Sequence, residues 1–434
     1  MQMHGQNNYG LSGNTFCSEV PFELIGNLII VKVNINGSDL NLIFDTGVKQ
    51  TILLNLANKD SLHFNKLKKK LFVGVGNEKK DIEAVKTIEN KIKLGKDIQA
   101  DDAVVYLITN AEFTFSERMG TPIFGFIGGE LIKDFIVHID YRKKKLIFYD
   151  PLHFDYKKLR RYTKIPLSIH RDKPYLKAKI KFNKKDSLHN IYLLIDTGNS
   201  DPLWLFQHDS FRVPEGQSRI KDYFGVGLNG DIKGERVKSH LLQIPSKITF
   251  KKVFTGLPDS IYYEKLIQSH PFDGIIGGEI LHRFKIYFDY KNKAMYVKKR
   301  FFEYHKKFPF NESGLYLSYQ GKIPVRVKKM FTTFDTRELS SGSNDIFIDR
   351  SDFVYEYKFF DKIMVHYIRP GSPAEKAGFA VGDVILEING ESVYKYKLND
   401  LEKRFLYKSG KNLRFLIERN GIILPLKMNT EEQL

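Results

Sequence analysis

Two aspartates stand in the same local setting 151 residues apart, in Leu42-Ile43-Phe44-Asp45-Thr46-Gly47 and in Leu193-Leu194-Ile195-Asp196-Thr197-Gly198. A carboxylate at the end of a buried apolar strand is costly unless it is hydrogen-bonded. The Thr hydroxyl and the Gly N–H that follow can supply those bonds in a tight turn. One Asp-Thr-Gly is a weak signal. Two, each followed 83 or 81 residues later by an apolar pair and a glycine (Asp45 to Gly128, Asp196 to Gly277), form a pattern. If the two turns meet across a pseudo-twofold axis, both carboxylates cannot be charged, and the pair holds one proton. The charged member can then take a proton from water while the protonated member polarises a peptide carbonyl. Such chemistry needs neither a metal nor a covalent intermediate.

The elements that must position this pair are themselves repeated. Val73-Gly74-Val75-Gly76 recurs as Phe224-Gly225-Val226-Gly227, Gly125-Phe126-Ile127-Gly128-Gly129-Glu130 as Gly274-Ile275-Ile276-Gly277-Gly278-Glu279, and Asp140-Tyr141 as Asp289-Tyr290. Each copy reads mostly as strand, with Ile29, Val31, Val33 and Ile35 alternating ahead of the first Asp-Thr-Gly. Leu131, Ile132 and Phe135, matched by Ile280, Leu281 and Phe284, predict one short helix per copy. A closing hairpin follows, turning at residues 142–145 and again at 291–293. Residues 21–150 and 165–300 are therefore expected to be two β-rich lobes. They are preceded by an extension over 1–20 and joined by a charged linker over 151–164.

From about residue 308 the repeat stops. Ser372, Pro373, Glu375 and Gly378 describe a complete short helix with N-cap, first-turn proline, capping box and left-handed stop. Residues 384–390 predict a strand entering an Asn-Gly hairpin turn. Leu398, Leu401 and Phe405 mark a second helix, and residues 332–345 read as a loop insertion.

Composition narrows the alternatives. The 434 residues carry a single Cys, Cys17, which excludes an intrachain disulfide and a Cys-based zinc cage. A net charge of +18 raises nucleic acid as a partner. Yet the basic runs at 68–70, 142–145 and 298–300 are short, so a solvated Lys-rich surface is expected instead. No apolar run is long enough to span a membrane, and residues 1–10 do not read as a signal peptide. The expectation is a cytoplasmic chain, or an exported one whose start lies upstream of Met1. Gly225 to Gly230 fits a dinucleotide pattern, but no helical pattern follows; a Gly-rich flap hairpin explains it better. Asp140 and Asp289, placed before hairpin turns, read as structural, and His138 as a sheet residue.

On these residues the chain resembles a bilobal aspartic protease of the retropepsin and pepsin type over residues 21–300. The resemblance implies that Asp45 and Asp196 are the catalytic pair of an endopeptidase, with Thr46 and Thr197 gripping across the lobes and Gly47 and Gly198 forming the turns. Phe126-Ile127-Gly128 and Ile275-Ile276-Gly277 match the element packed under each turn, and Asp201-Pro202-Leu203-Trp204 resembles a segment that follows one of them. Val48 and Asn199 depart from the small Ser or Ala usual after the glycine, and Lys49 follows Val48. The alternative is thus a catalytically inactive peptide-binding adaptor. Residues 309–428 resemble a PDZ domain of the bacterial protease-associated kind, through Ser372-Pro373-Ala374, Ala377-Gly378, Gly382-Asp383 and Ile388-Asn389-Gly390. That implies capture of peptide or protein ends, with Ser313, Gly314, Leu315 and Tyr316 as the carboxylate-binding loop. No cofactor or metal is expected. Because one chain carries both aspartates, a monomer is expected to suffice.

Overall fold

The computed structural model describes residues 9–54, 63–64, 68–72, 82–108, 115–208, 211–227, 230–264, 267, 270, 272–332 and 351–434. The first copy of the Gly-rich repeat, at 73–76, and most of the 332–345 insertion lie outside the described residues. The chain is mainly β. In the first lobe, strand Leu28–Ile35 pairs antiparallel with Ser38–Asp45, Ile30 lying opposite Ile43. The Asn36-Gly37 turn between them has both φ angles positive, as a two-residue hairpin turn requires. Strand Gly125–Gly128 runs parallel to Ser38–Asp45, with Gly128 opposite Asp45, and antiparallel to Thr51–Leu53. It therefore lies directly beside the strand end that carries the carboxyl. The second lobe has the same arrangement: Lys173–Lys181 is antiparallel to His189–Ile195, and Gly274–Ile276 is parallel to that strand and antiparallel to Leu203–Leu205.

A six-stranded sheet ties the lobes together. Its centre is the antiparallel pair Ile136–Asp140 and Phe284–Asp289, with His138 opposite Tyr287. The hairpin partners Lys145–Tyr149 and Ala294–Lys299 flank it, and Cys17–Pro21 and Thr163–Pro166 form its edges. The stretches read as extension and linker thus each supply a strand to this sheet. Asp140 and Asp289 hold its hairpin turns: Asp140 accepts the N–H groups of Arg142 and Lys143 at 3.0 and 3.1 Å, and Asp289 accepts that of Asn292 at 3.1 Å. His138 stacks on Tyr287 with the ring centres 4.1 Å apart, and burial pushes its pKa down to about 4, so it is a neutral sheet residue at neutral pH.

Both faces of the lobe strands are buried. Ile29, Val31 and Val33 join a core running through both lobes, whereas Leu28 and Ile30 pack with Ile52, Phe115 and Phe126 on the other face. In lobe two that second face gathers Tyr175, Leu194, Trp204, Phe224 and Ile275. These two clusters form the walls between which the Asp-Thr-Gly turns lie.

The C-terminal domain has its own core, including Leu315, Leu317, Val365, Ile385, Leu401 and Phe405. Its six-stranded sheet has Leu315–Thr332 at one edge. Ser372 Oγ accepts the Glu375 N–H at 3.3 Å, Glu375 Oε2 accepts the Gly371 N–H at 2.7 Å, and Gly378 ends the helix at φ +81°. Helix Leu398–Leu401 continues as a π turn, Glu402–Leu406. This domain is locked to lobe two through Asp222. Its fully buried carboxylate accepts from Arg236 Nε at 2.6 Å, from Arg369 Nε at 3.0 Å and from the Tyr316 hydroxyl. Burial would push Asp222 up, but the two guanidinium charges hold it below the ordinary carboxyl range. Arg236 also donates to Asp201 at 3.0 Å, and Asp201 accepts from Trp204 Nε1 at 2.7 Å. A buried polar chain thus runs from the C-terminal domain to the turn that follows Asp196.

Candidate active site

The two Asp-Thr-Gly turns meet at the lobe boundary and hold each other by reciprocal hydrogen bonds. Thr46 N–H donates to Thr197 Oγ1 and Thr197 N–H to Thr46 Oγ1, both at 3.0 Å. Thr46 Oγ1 donates to the Ile195 carbonyl and Thr197 Oγ1 to the Phe44 carbonyl, both at 2.7 Å. The N–H and hydroxyl of both buried threonines are thereby used across the lobes. Replacing Thr197 by Ala leaves the Thr46 N–H and the Phe44 carbonyl without these partners, at about 1–3 kcal/mol each. We expect Thr197→Ala to lower unfolding stability by several kcal/mol and Thr197→Ser to recover most of it; denaturation midpoints for Ala and Ser variants that coincide would refute this.

Each glycine lies against the carboxyl of the other lobe. A Cβ on Gly47 would fall 2.6 Å from Asp196 Cγ, and one on Gly198 would fall 2.4 Å from Asp45 Cγ. Only glycine fits at either place. Gly47 N–H donates to Asp45 Oδ1 at 2.6 Å and Gly198 N–H to Asp196 Oδ1 at 2.8 Å. Gly128 and Gly277 pack beneath the turns, where a Cβ would lie 2.2 Å from the Asp45 carbonyl oxygen and 2.3 Å from that of Asp201.

The electrostatics follow from this geometry. Asp45 is only 6% exposed. Burial, then the Asp196 charge, then a hydrogen bond to the Asp196 carboxyl push Asp45 well above the ordinary carboxyl range. Asp196 is also raised by burial, against the bond from Asp45, the Gly198 N–H and the Lys173 charge. Two buried carboxyls this close cannot both be charged, so the pair favours one shared proton.

The pair opens into a cleft of about 420 Å³ with walls of Leu28, Phe115, Phe126, Tyr175, Trp204 and Ile275 among others. The hairpin of Arg219–Gly227 and Gly230–Ile244 contributes Phe224, Gly225, Val226 and Gly227 to the lining, which is the place of the expected flap. Lys49 forms an ion pair with Asp172 across the lobes at 3.3 Å. The residue that sequence reasoning missed is Lys173. It lines the cleft, burial lowers its pKa, and the Asp45 and Asp196 charges counter that. Its lobe-one counterpart is Leu28, since each begins the strand after a two-residue turn of positive φ, Gly26-Asn27 in one lobe and Arg171-Asp172 in the other. The sequence carried no signal for it, because at the repeat offset of 151 residues Lys173 falls opposite Phe22, and its match to Leu28 appears only in the folded strands.

The PDZ domain family matches residues 364–419. No curated protein matches the chain. Among solved structures, the aspartic proteinase from Irpex lacteus overlaps at 12% identity over 65% of this chain and 97% of its own, with a TM-score of 0.41. Basic 7S globulin from soybean overlaps at 9% identity over 65% and 94%, with a TM-score of 0.38. Neither overlap is close enough to decide a function, which rests on the carboxyl pair itself.

The loop expected to bind a terminal carboxylate is closed. Ser313 N–H donates to the Leu406 carbonyl at 3.2 Å, Gly314 N–H to Asn311 Oδ1 at 3.1 Å and Leu315 N–H to Ser313 Oγ at 3.0 Å. The Tyr316 hydroxyl is spent on Asp222. Short polar side chains in the loop satisfy locally the N–H groups that a carboxylate would need.

Proposed function

We propose that the chain is an aspartic endopeptidase in which Asp45 and Asp196, one from each lobe, activate water against a peptide bond. The observation that carries this reading is the pair of buried carboxyls, hydrogen-bonded to each other at the base of an apolar cleft. Asp196, ionised, takes a proton from the attacking water while Asp45 donates its proton to the carbonyl oxygen, giving a tetrahedral diol. Asp196 then gives its proton to the leaving nitrogen while Asp45 takes one from a diol hydroxyl; the C–N bond breaks, the carboxylic acid forms, and the pair returns to its singly protonated state. Thr46, Thr197, Gly47 and Gly198 act as positioning residues. One chain supplies both carboxyls, so a monomer can be active. The C-terminal domain binds peptide segments beside the protease lobes.

The rival reading, a peptide-binding chain without turnover, draws on Val48 and Lys49. Lys49 has an ion-pair partner in Asp172, and Asp45 receives its hydrogen bond from the Gly47 N–H, which does not depend on residue 48. Incubation with a diverse peptide mixture and mapping of new termini tests the choice. We expect internal cleavages that a peptide analogue with a tetrahedral hydroxyl at the scissile carbonyl suppresses and a metal chelator does not. Loss of cleavage to the chelator alone, or no cleavage at any pH, would overturn the proposal.

A further inference from the structure

Residues 115–120 of lobe one face two ways. On one side Phe115, Arg118 and Met119 line the cleft that holds the carboxyl pair. On the other, helix Phe115–Met119 packs on the edge strand Leu315–Thr332 and on helix Leu398–Leu401 of the C-terminal domain. Gly120, at φ +65°, lies so close to the Tyr319 ring that a Cβ would fall 2.3 Å from Cε2. In PDZ domains an extended peptide adds to a sheet edge beside a helix. Here that edge is already covered by the chain's own groups. The Tyr319 hydroxyl accepts the Leu398 N–H at 2.8 Å, and Glu402 lines the same space as Arg118 and Met119.

The chemistry of the covered edge is cation-seeking. Burial pushes the Glu402 carboxyl up, and the nearby Arg118 charge opposes this. The Arg118 guanidinium lies 5.4 Å from the centre of the Tyr223 ring, and its buried Nη1 has no hydrogen-bond partner among the described residues. A terminal carboxylate arriving at this edge would meet the Glu402 charge. It would also find the N–H groups of Ser313, Gly314 and Leu315 already donating.

We propose that the groove of the C-terminal domain takes an internal basic segment and not a free C-terminus, and that its resident occupant is residues 115–120 of the same chain. The external ligand is then a peptide presenting an arginine beside apolar side chains. This rests on reading the domain as a peptide-binding module. Because the displaced residues also wall the cleft, a bound peptide withdraws Phe115, Arg118 and Met119 from that wall.

The test uses the full chain and hydrogen exchange. Arg118→Glu and Glu402→Arg should each speed amide exchange across residues 115–120 and at Leu317 by about tenfold or more, and the double variant should restore protection, as expected when attraction between these two charges, which line one space, holds the segment. In the Arg118→Glu chain, a fluorescent peptide with the sequence of residues 115–121 should bind about tenfold tighter than it binds the wild type, because the competing resident segment is released. Amidating its C-terminus should leave that affinity unchanged. Unaltered exchange in both single variants, or a strong preference for the free carboxylate over the amide, would overturn the proposal. Arg118→Gln, which removes the charge without adding repulsion, serves if the reversed variants do not fold. None of these measurements depends on turnover, so a chain that fails to cleave peptides leaves the result as informative as before.

Discussion

Asp45→Asn and Asp196→Asn should each lower peptide turnover by about 10²–10⁴-fold, the range that a positioned acid or base supplies. The Asn side chain keeps the acceptor that Gly47 or Gly198 N–H uses, and the cross-lobe threonine bonds are untouched. The fold should therefore survive while the proton chemistry does not. Stability sharpens the test for Asp45. Its folded pKa is raised, first by burial, so the folded state keeps a proton that the unfolded chain loses. The stabilisation from that proton is fully present below the ordinary aspartate value and is lost as pH rises through the folded value. Asp45→Asn carries no such proton and should gain on the wild type in thermal stability across that rise, reaching a constant advantage above it. Turnover within about tenfold of wild type in either variant would remove that residue from the machinery. An Asp45→Asn chain whose stability relative to the wild type does not rise with pH would contradict a raised pKa at Asp45.

The carboxyl pair, its threonines and its glycines were legible because all of them sit in short segments whose residue types are repeated, and the repeated spacing locates the packing glycines as well. Alternation and turn residues placed the lobes, the interlobe hairpins and the capped helix at Ser372 for the same local reason. What escaped depends on register and on distant packing. Lys173 is one lysine among many in the sequence and gains meaning only when the strand pairing sets it beside the carboxyls, at the place that Leu28 holds in the other lobe. Asp222 and Arg236 share one hairpin, but Arg369 lies 147 residues beyond Asp222, and only tertiary packing makes the three one buried charge cluster. Cys17–Pro21 has no strong pattern of its own; it becomes a strand because Lys145–Tyr149 presents an unpaired edge. The loop at Ser313 shows the opposite failure, since its residue types fit carboxylate binding while the nearby Asn311 and Ser313 side chains consume the N–H groups.

Lys173 breaks the symmetry of the site, and that asymmetry should be visible in the pH profile. Turnover requires one proton on the pair, so it should fall when a second proton is added at low pH and when the shared one leaves at high pH, giving a bell. Because burial and the neighbouring carboxylate raise Asp45 well above the ordinary range, the alkaline limb should lie well above the pH at which an exposed aspartate titrates. The Lys173 charge acts the other way on both carboxyls, favouring their ionised forms. Lys173→Met keeps an unbranched chain of similar bulk and removes the charge. Each proton should then be held more tightly, so both limbs of the bell should move to higher pH together. A mere packing role for Lys173 would lower the height of the bell and leave its limbs in place. Limbs that move apart, or toward lower pH, would mean that the lysine does not act on the pair through its charge, and a profile rising to an alkaline plateau would mean that no shared proton governs the reaction.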